Sequence, residues 1–126
     1  MTDLRVPVSP GELLDKITIL EIKSERIEDP DKLGNVRREL DLLTKVWTDS
    51  VSEDDEISDL RTLLRRLNEE LWGIEDEIRE QERRGEFGAR FVELARAVYT
   101  TNDRRSEAKR RINFHLGSTL IEEKSH

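Results

Sequence analysis

Between Ile57 and Ile78 the apolar side chains fall at Ile57, Leu60, Leu64, Leu67, Leu71, Ile74 and Ile78, in alternating steps of three and four residues. A stripe of that period is the seam of a helix that other helices must cover. The segment Leu4 to Val8 alternates apolar and other residues but contains Pro7, which predicts a short extended arm over residues 1–8. Ser9-Pro10-Gly11-Glu12 joins a capping serine, a proline at the first helical position and an acid three residues after the cap. This capping box predicts a helix over 9–28, striped by Leu13, Ile17, Leu20 and Ile27 and widened by Leu14, Ile19 and Ile22. Asp29-Pro30 repeats the start signal and opens a second helix over 30–48, with Leu33, Val36, Leu40, Leu43 and Trp47 in register. Ser50 or Ser52 caps a third helix over 53–84, whose acidic first turn suits the helix dipole. Gly85-Glu86-Phe87-Gly88 breaks it, and a fourth helix over 86–116 carries Phe91, Leu94, Val98, Ala108 and Ile112. A tail over 117–126 has Leu120 and Ile121 to hold it against the rest.

These spans predict an all-α fold: an antiparallel four-helix bundle with a short first hairpin and a long, coiled-coil-like second one, in a single domain over 1–126. At the helical rise of about 1.5 Å per residue, the second hairpin overhangs the first. Its tip then presents Ile74, Ile78, Phe87, Phe91 and Leu94 without covering helices. Apolar side chains beyond what the hairpin itself can bury mark a contact for a protein partner or a second copy of the chain.

Composition agrees with the helical reading, since 40% of residues are charged and 5% aromatic. A net charge of −7 argues against a general nucleic-acid binder, whose affinity comes from neutralising phosphates. The stretch Thr100 to Leu116 is locally basic, with Arg104, Arg105, Lys109, Arg110 and Arg111 against Asp103 and Glu107, so a small anion is a candidate ligand there. The chain has no cysteine, which removes disulfides, thiolate nucleophiles and cysteine-based zinc sites. With no signal-like or membrane-length apolar run, a cytoplasmic location away from membranes is expected.

The seams have one polar interruption. Helix one breaks at Ser24, helix four at Thr101 and again at Arg105. Counting from the ends of the helices, Ser24, Asn35, Asn68, Asn102 and Asp103 reach one level, with Arg38, Arg105 and Lys109 within reach of it. Buried polar groups must be bonded or each costs on the order of 1 to 3 kcal/mol, so such a layer needs a reason. It either fixes helix register, as a buried asparagine does in coiled coils, or lines a small polar pocket for a phosphate or carboxylate. No signature of a catalytic residue, metal site or cofactor stands out. The two histidines, His115 at a helix end and His126 at the last position, provide no Glu-x-x-His pairs on facing helices, and no glycine-rich phosphate loop occurs. Glu25/Glu28 and Glu56/Asp59 match the carboxylate pairs of magnesium-dependent all-α pyrophosphohydrolases only formally, since the spacing arises readily among 29 acidic residues.

Several strings occur together: Val-Ser-Pro-Gly-Glu-Leu-Leu-Asp-Lys-Ile-Thr-Ile-Leu-Glu-Ile-Lys from Val8, Leu-Trp-Gly-Ile-Glu-Asp-Glu-Ile-Arg from Leu71, Leu-Ala-Arg-Ala-Val-Tyr-Thr-Thr-Asn-Asp-Arg-Arg from Leu94, and Gly-Ser-Thr-Leu-Ile-Glu-Glu-Lys-Ser from Gly117. The combination resembles an uncharacterised family of small all-helical bacterial and phage proteins, a domain of unknown function, over nearly the whole chain. The resemblance implies that Thr101-Asn102-Asp103 and the Glu122-Glu123-Lys124 tail are characteristic, and it carries over no activity. His126 departs from it, standing where tyrosine is expected. The expected function is a non-enzymatic helical module acting through protein contacts at the hairpin tip. The alternative is an all-α protein that binds or hydrolyses a small anion or nucleotide with carboxylates and magnesium.

Overall fold

Each of the first three helices begins where a side-chain oxygen takes up a free amide of the first turn. Ser9 Oγ accepts from Glu12 N at 3.2 Å, Asp29 from Lys32 N at 3.0 Å, and Asp54 from Ile57 N at 2.9 Å. These caps set the starts of α1 (Pro10–Arg26), α2 (Pro30–Ser50) and α3 (Asp55–Arg84) in a computed structural model that describes residues 3–124. After a short loop, α4 follows as Ala89–His115. His126 lies outside the described residues. The cap of α3 is Asp54 and not Ser50, which is the last residue of α2, or Ser52; the Asp54 carboxylate is also held from outside the helix by His115 Nε2 at 2.5 Å. The capping box of α1 is half formed: Ser9 plays its part, while the Glu12 carboxylate turns to Lys109 Nζ at 2.8 Å. Helices α3 and α4 end on Gly85 and Gly117 at φ +66° and +67°, where the next amide reaches back to Gln81 O and Asn113 O. That left-handed turn is cheap for glycine alone.

The helices form an antiparallel bundle of one short and one long hairpin. With 17 residues α1 spans about 25 Å, and with 30 residues α3 spans about 45 Å. Helix α1 lies at the centre, against α2, α3 and α4, whereas α2 makes its close backbone approach to α1 alone. Where all four meet, Leu14, Ile17, Trp47, Ile57, Leu60, Leu64, Leu67, Ala108 and Ile112 make the core. Trp47 is the buried residue of α2, and its indole Nε1 donates to Glu53 at 2.7 Å, so the group that crosses from α2 into the core has its polar atom satisfied.

Past the end of α1, the long hairpin closes on itself. Leu94 is buried, Ile74, Ile78 and Phe91 are half-buried, and Phe87 stacks edge-on against Phe91 with ring centres 5.2 Å apart. Of the five apolar residues predicted at the tip, Phe87 is the exposed one, at 56%.

Candidate functional site: a cavity above a buried polar cluster

Gly11 sets how closely α1 and α4 run. Its amide donates to Asn113 Oδ1 at 2.7 Å, and a Cβ at this position would stand 2.4 Å from the Lys109 carbonyl oxygen. Only a glycine fits so near another backbone. One turn further along α1, the same closeness delivers Asp15 to Arg105, whose Nε lies 3.2 Å from Asp15 Oδ1.

Asp15 is 2% exposed, and its environment is built to hold it. Asn68 Nδ2, from α3, donates to Asp15 Oδ1 at 2.9 Å and to Thr18 Oγ1 at 3.0 Å. Thr18 in turn donates to the Asp15 carbonyl at 2.7 Å. On α4, Arg105 Nη1 donates to Asn102 Oδ1 at 3.3 Å. The chemistry orients both amides. A carboxylate only accepts, so Asn68 turns its NH2 to Asp15 and leaves Oδ1 outside both bonds; a guanidinium only donates, so Asn102 gives it the oxygen and leaves Nδ2 outside that bond.

Above this cluster lies a cavity of about 510 Å³, with Asn68, Asn102 and Arg105 at its floor. Ile19 and Ile22 of α1 and Leu71 and Trp72 of α3 give it apolar walls. The Arg26 guanidinium sits 5.6 Å from the Trp72 ring centre and fixes that wall at the end of α1. Lys23, Arg79, Glu75 and Asp76 also line the cavity, and among the described residues none of the four makes an ion pair. The volume suits a small organic ligand, for which apolar walls and a few convergent polar atoms are the usual equipment.

Of the residues predicted to share a polar layer, the structure brings together Asn68, Asn102 and Arg105. The others lie elsewhere. Ser24 donates to the Glu21 carbonyl of its own helix at 2.6 Å. Asn35 and Arg38 bond to each other at 3.1 Å on the exposed side of α2, because α2 leans on α1 and comes near neither α3 nor α4. Asp103 is exposed and pairs with Lys124 Nζ at 2.6 Å. Lys109 belongs to a second cluster one turn nearer the base, where its ammonium, 6% exposed, lies 2.8 Å from Glu12 and 3.0 Å from Glu122. Burial alone would lower its pKa, but hydrogen bonds to Glu12 and Glu122 outweigh that and hold it above the ordinary lysine value. Through Glu122, and through Arg110 on Glu123 at 3.3 Å, the tail is strapped along α4.

Asp15 and Thr18 are the cluster members that pattern reading missed. Their signal is a second stripe on α1, Gly11-Asp15-Thr18-Ile22, in which the leading glycine marks a close helix contact and the polar pair sits between small and apolar neighbours. One carboxylate of each pair considered for magnesium is engaged by a basic side chain of the chain itself: Glu25 by Arg65, and Glu56 by His115 Nδ1 at 2.9 Å. Among the described residues no group of three or more acidic or histidine side chains is placed to hold a metal ion, and no helix is long and apolar enough to cross a membrane.

No curated protein and no solved structure matches the chain. The strings in Leu71 to Arg79 and Leu94 to Arg105, which supply the wall and floor of the cavity, lie inside a region, residues 4–126, that matches a known sequence family. The chain therefore belongs to DUF6165, a family of unknown function.

Proposed function

We propose that this chain is a non-enzymatic, cytoplasmic binding protein that takes a small organic anion with a flat apolar body into the cavity between α1, α3 and α4. The observation that carries the reading is the floor. A bundle gains more from apolar filling than from a buried ion pair, yet here Asp15, Asn68 and Arg105 occupy the space and keep Asn68 Oδ1, Asn102 Nδ2 and Arg105 Nη2 outside their mutual bonds. Those atoms orient a ligand, Lys23 and Arg79 supply cationic groups that stand beside Glu75 and Asp76, and Trp72 with Ile19 and Leu71 takes up the apolar body.

Calorimetric titration with benzoate, phenyl phosphate and inorganic phosphate tests this. The aryl anions should bind, inorganic phosphate should bind at least tenfold more weakly because it leaves the walls unused, and both Trp72→Ala and Lys23→Ala should weaken the aryl anions. Absence of aryl-anion binding, or binding indifferent to both substitutions, refutes the proposal. A second reading, docking of a protein partner at the hairpin tip, is supported by exposed Phe87 and Val92. Loss of partner capture in Phe87→Ser with aryl-anion binding intact would favour it.

A further inference from the structure

A second apolar surface of the chain lies beside the first half of α1, whereas the cavity is lined from its second half. Leu4, Val6 and Val8 of the arm and Leu42 and Val46 of α2 are all exposed and line one hollow of about 600 Å³. We infer that this face is where two copies of the chain join, the arms pairing antiparallel about Val6 to form a two-stranded ribbon over the α2 faces.

Backbone chemistry favours that occupant. Among the described backbone bonds outside the helices, none engages residues 3–8, so the arm offers a row of free amides and carbonyls. In an antiparallel pair, alternate residues exchange both bonds with their opposite number while the residues between point their amides outward. With Val6 opposite Val6 of the second copy, Leu4 falls opposite Val8, and the bonded positions are 4, 6 and 8. Pro7, which has no amide hydrogen, falls at a position that needs none. The same register puts Leu4, Val6 and Val8 on one face, which Leu42 and Val46 can cover.

Charge points to a second copy. A two-fold contact sets a patch against itself, so it must not repel itself. On a chain of net charge −7, the hollow carries two acids, Asp3 and Glu12, and two bases, Arg5 and Lys16. It is one surface that two copies can bring together without accumulating charge.

Sedimentation velocity from micromolar to millimolar concentration tests the inference. The chain should pass from monomer to dimer. Val6→Pro, which removes a bonded amide from each arm outside the core, should raise the dissociation constant roughly tenfold or more, with helical content and thermal midpoint of the monomer unchanged. Leu42→Glu should do the same, and Pro7→Ala should leave association intact. A chain that stays monomeric throughout, a dimer indifferent to Val6→Pro, or a dimer lost in Pro7→Ala would overturn it. The outcome is independent of aryl-anion binding in the cavity.

Discussion

Replacing Gly11 by alanine tests the contact from which the cavity is built. The added Cβ would meet Lys109 O at 2.4 Å, Lys109 C at 3.0 Å and Asn113 Oδ1 at 2.9 Å. The first of these is roughly 1 Å short of an ordinary van der Waals approach, and it is a backbone atom inside a helix, so α1 must move off α4. Moving strains the buried bond from Gly11 N to Asn113, worth about 1 to 3 kcal/mol if lost. It also disturbs Leu14 and Ile17, which are wholly buried, at an overpacking cost of about 1 to 3 kcal/mol. Against this stands a helix-propensity gain of at most about 1 kcal/mol. The net expectation is a loss of about 1 to 5 kcal/mol, read as a lower urea midpoint at unchanged slope. The same exchange at Gly34 or Gly73, where an added Cβ has nothing within 4 Å, should instead raise stability by about 0.5 to 1 kcal/mol. If Gly11→Ala proves as stable as the parent chain, or shifts with the same sign as Gly34→Ala, the close α1–α4 contact is not what positions Asp15.

Arg105→Met should destabilise by about 2 to 4 kcal/mol, because it strips the cation from a carboxylate that is 2% exposed, and adding Asp15→Asn should recover part of the loss in a double-mutant cycle of urea midpoints. His115, between Asp54 and Glu56, has its pKa raised above 6.5, chiefly by its hydrogen bond to Asp54, so the protonated form stabilises the fold. That contribution is complete below pH 6.5 and is lost as pH rises through the higher folded value; the Asp54 side of the pair, with its pKa lowered from 3.8, is lost as pH falls through its own folded value. Thermal midpoints of the parent chain should therefore exceed those of His115→Gln between these limits and converge with them on the alkaline side. Glu122→Gln should weaken the hold of Lys109 on the tail, seen as faster hydrogen exchange and earlier proteolysis in residues 118–124 with the helices unaffected.

What the sequence disclosed was whatever depends on near neighbours along the chain. Ser9-Pro10 and Asp29-Pro30 start helices by atoms three residues away, and the seam from Ile57 states its own period, so three of the four helix starts or seams could be read directly. The cap at Asp54 is harder to single out, because Ser52, Glu53, Asp54 and Asp55 offer several capping oxygens in a row, and the His115 contact on Asp54 comes from sixty-one positions along the chain. Asp15 and Thr18 were hidden for a related reason: in a chain 40% charged, a polar residue on a helix reads as solvated unless the partner helix is known. Asn35 and Arg38 join a polar layer only if four helices converge equally, whereas α2 brings its backbone close to α1 alone. The cavity itself is a product of α1 stopping at Arg26 while α3 and α4 run on, a difference of lengths that the caps and glycines do announce.

The two tryptophans of the chain stand in different company. Trp47 is sealed in the core with its indole on Glu53, and Trp72 forms a wall of the cavity beneath the Arg26 guanidinium. Intrinsic fluorescence therefore offers two separable channels. In Trp72→Phe the remaining emission follows melting of the core, and in Trp47→Phe it follows occupancy of the cleft, so folding and loading can be watched one at a time without a label.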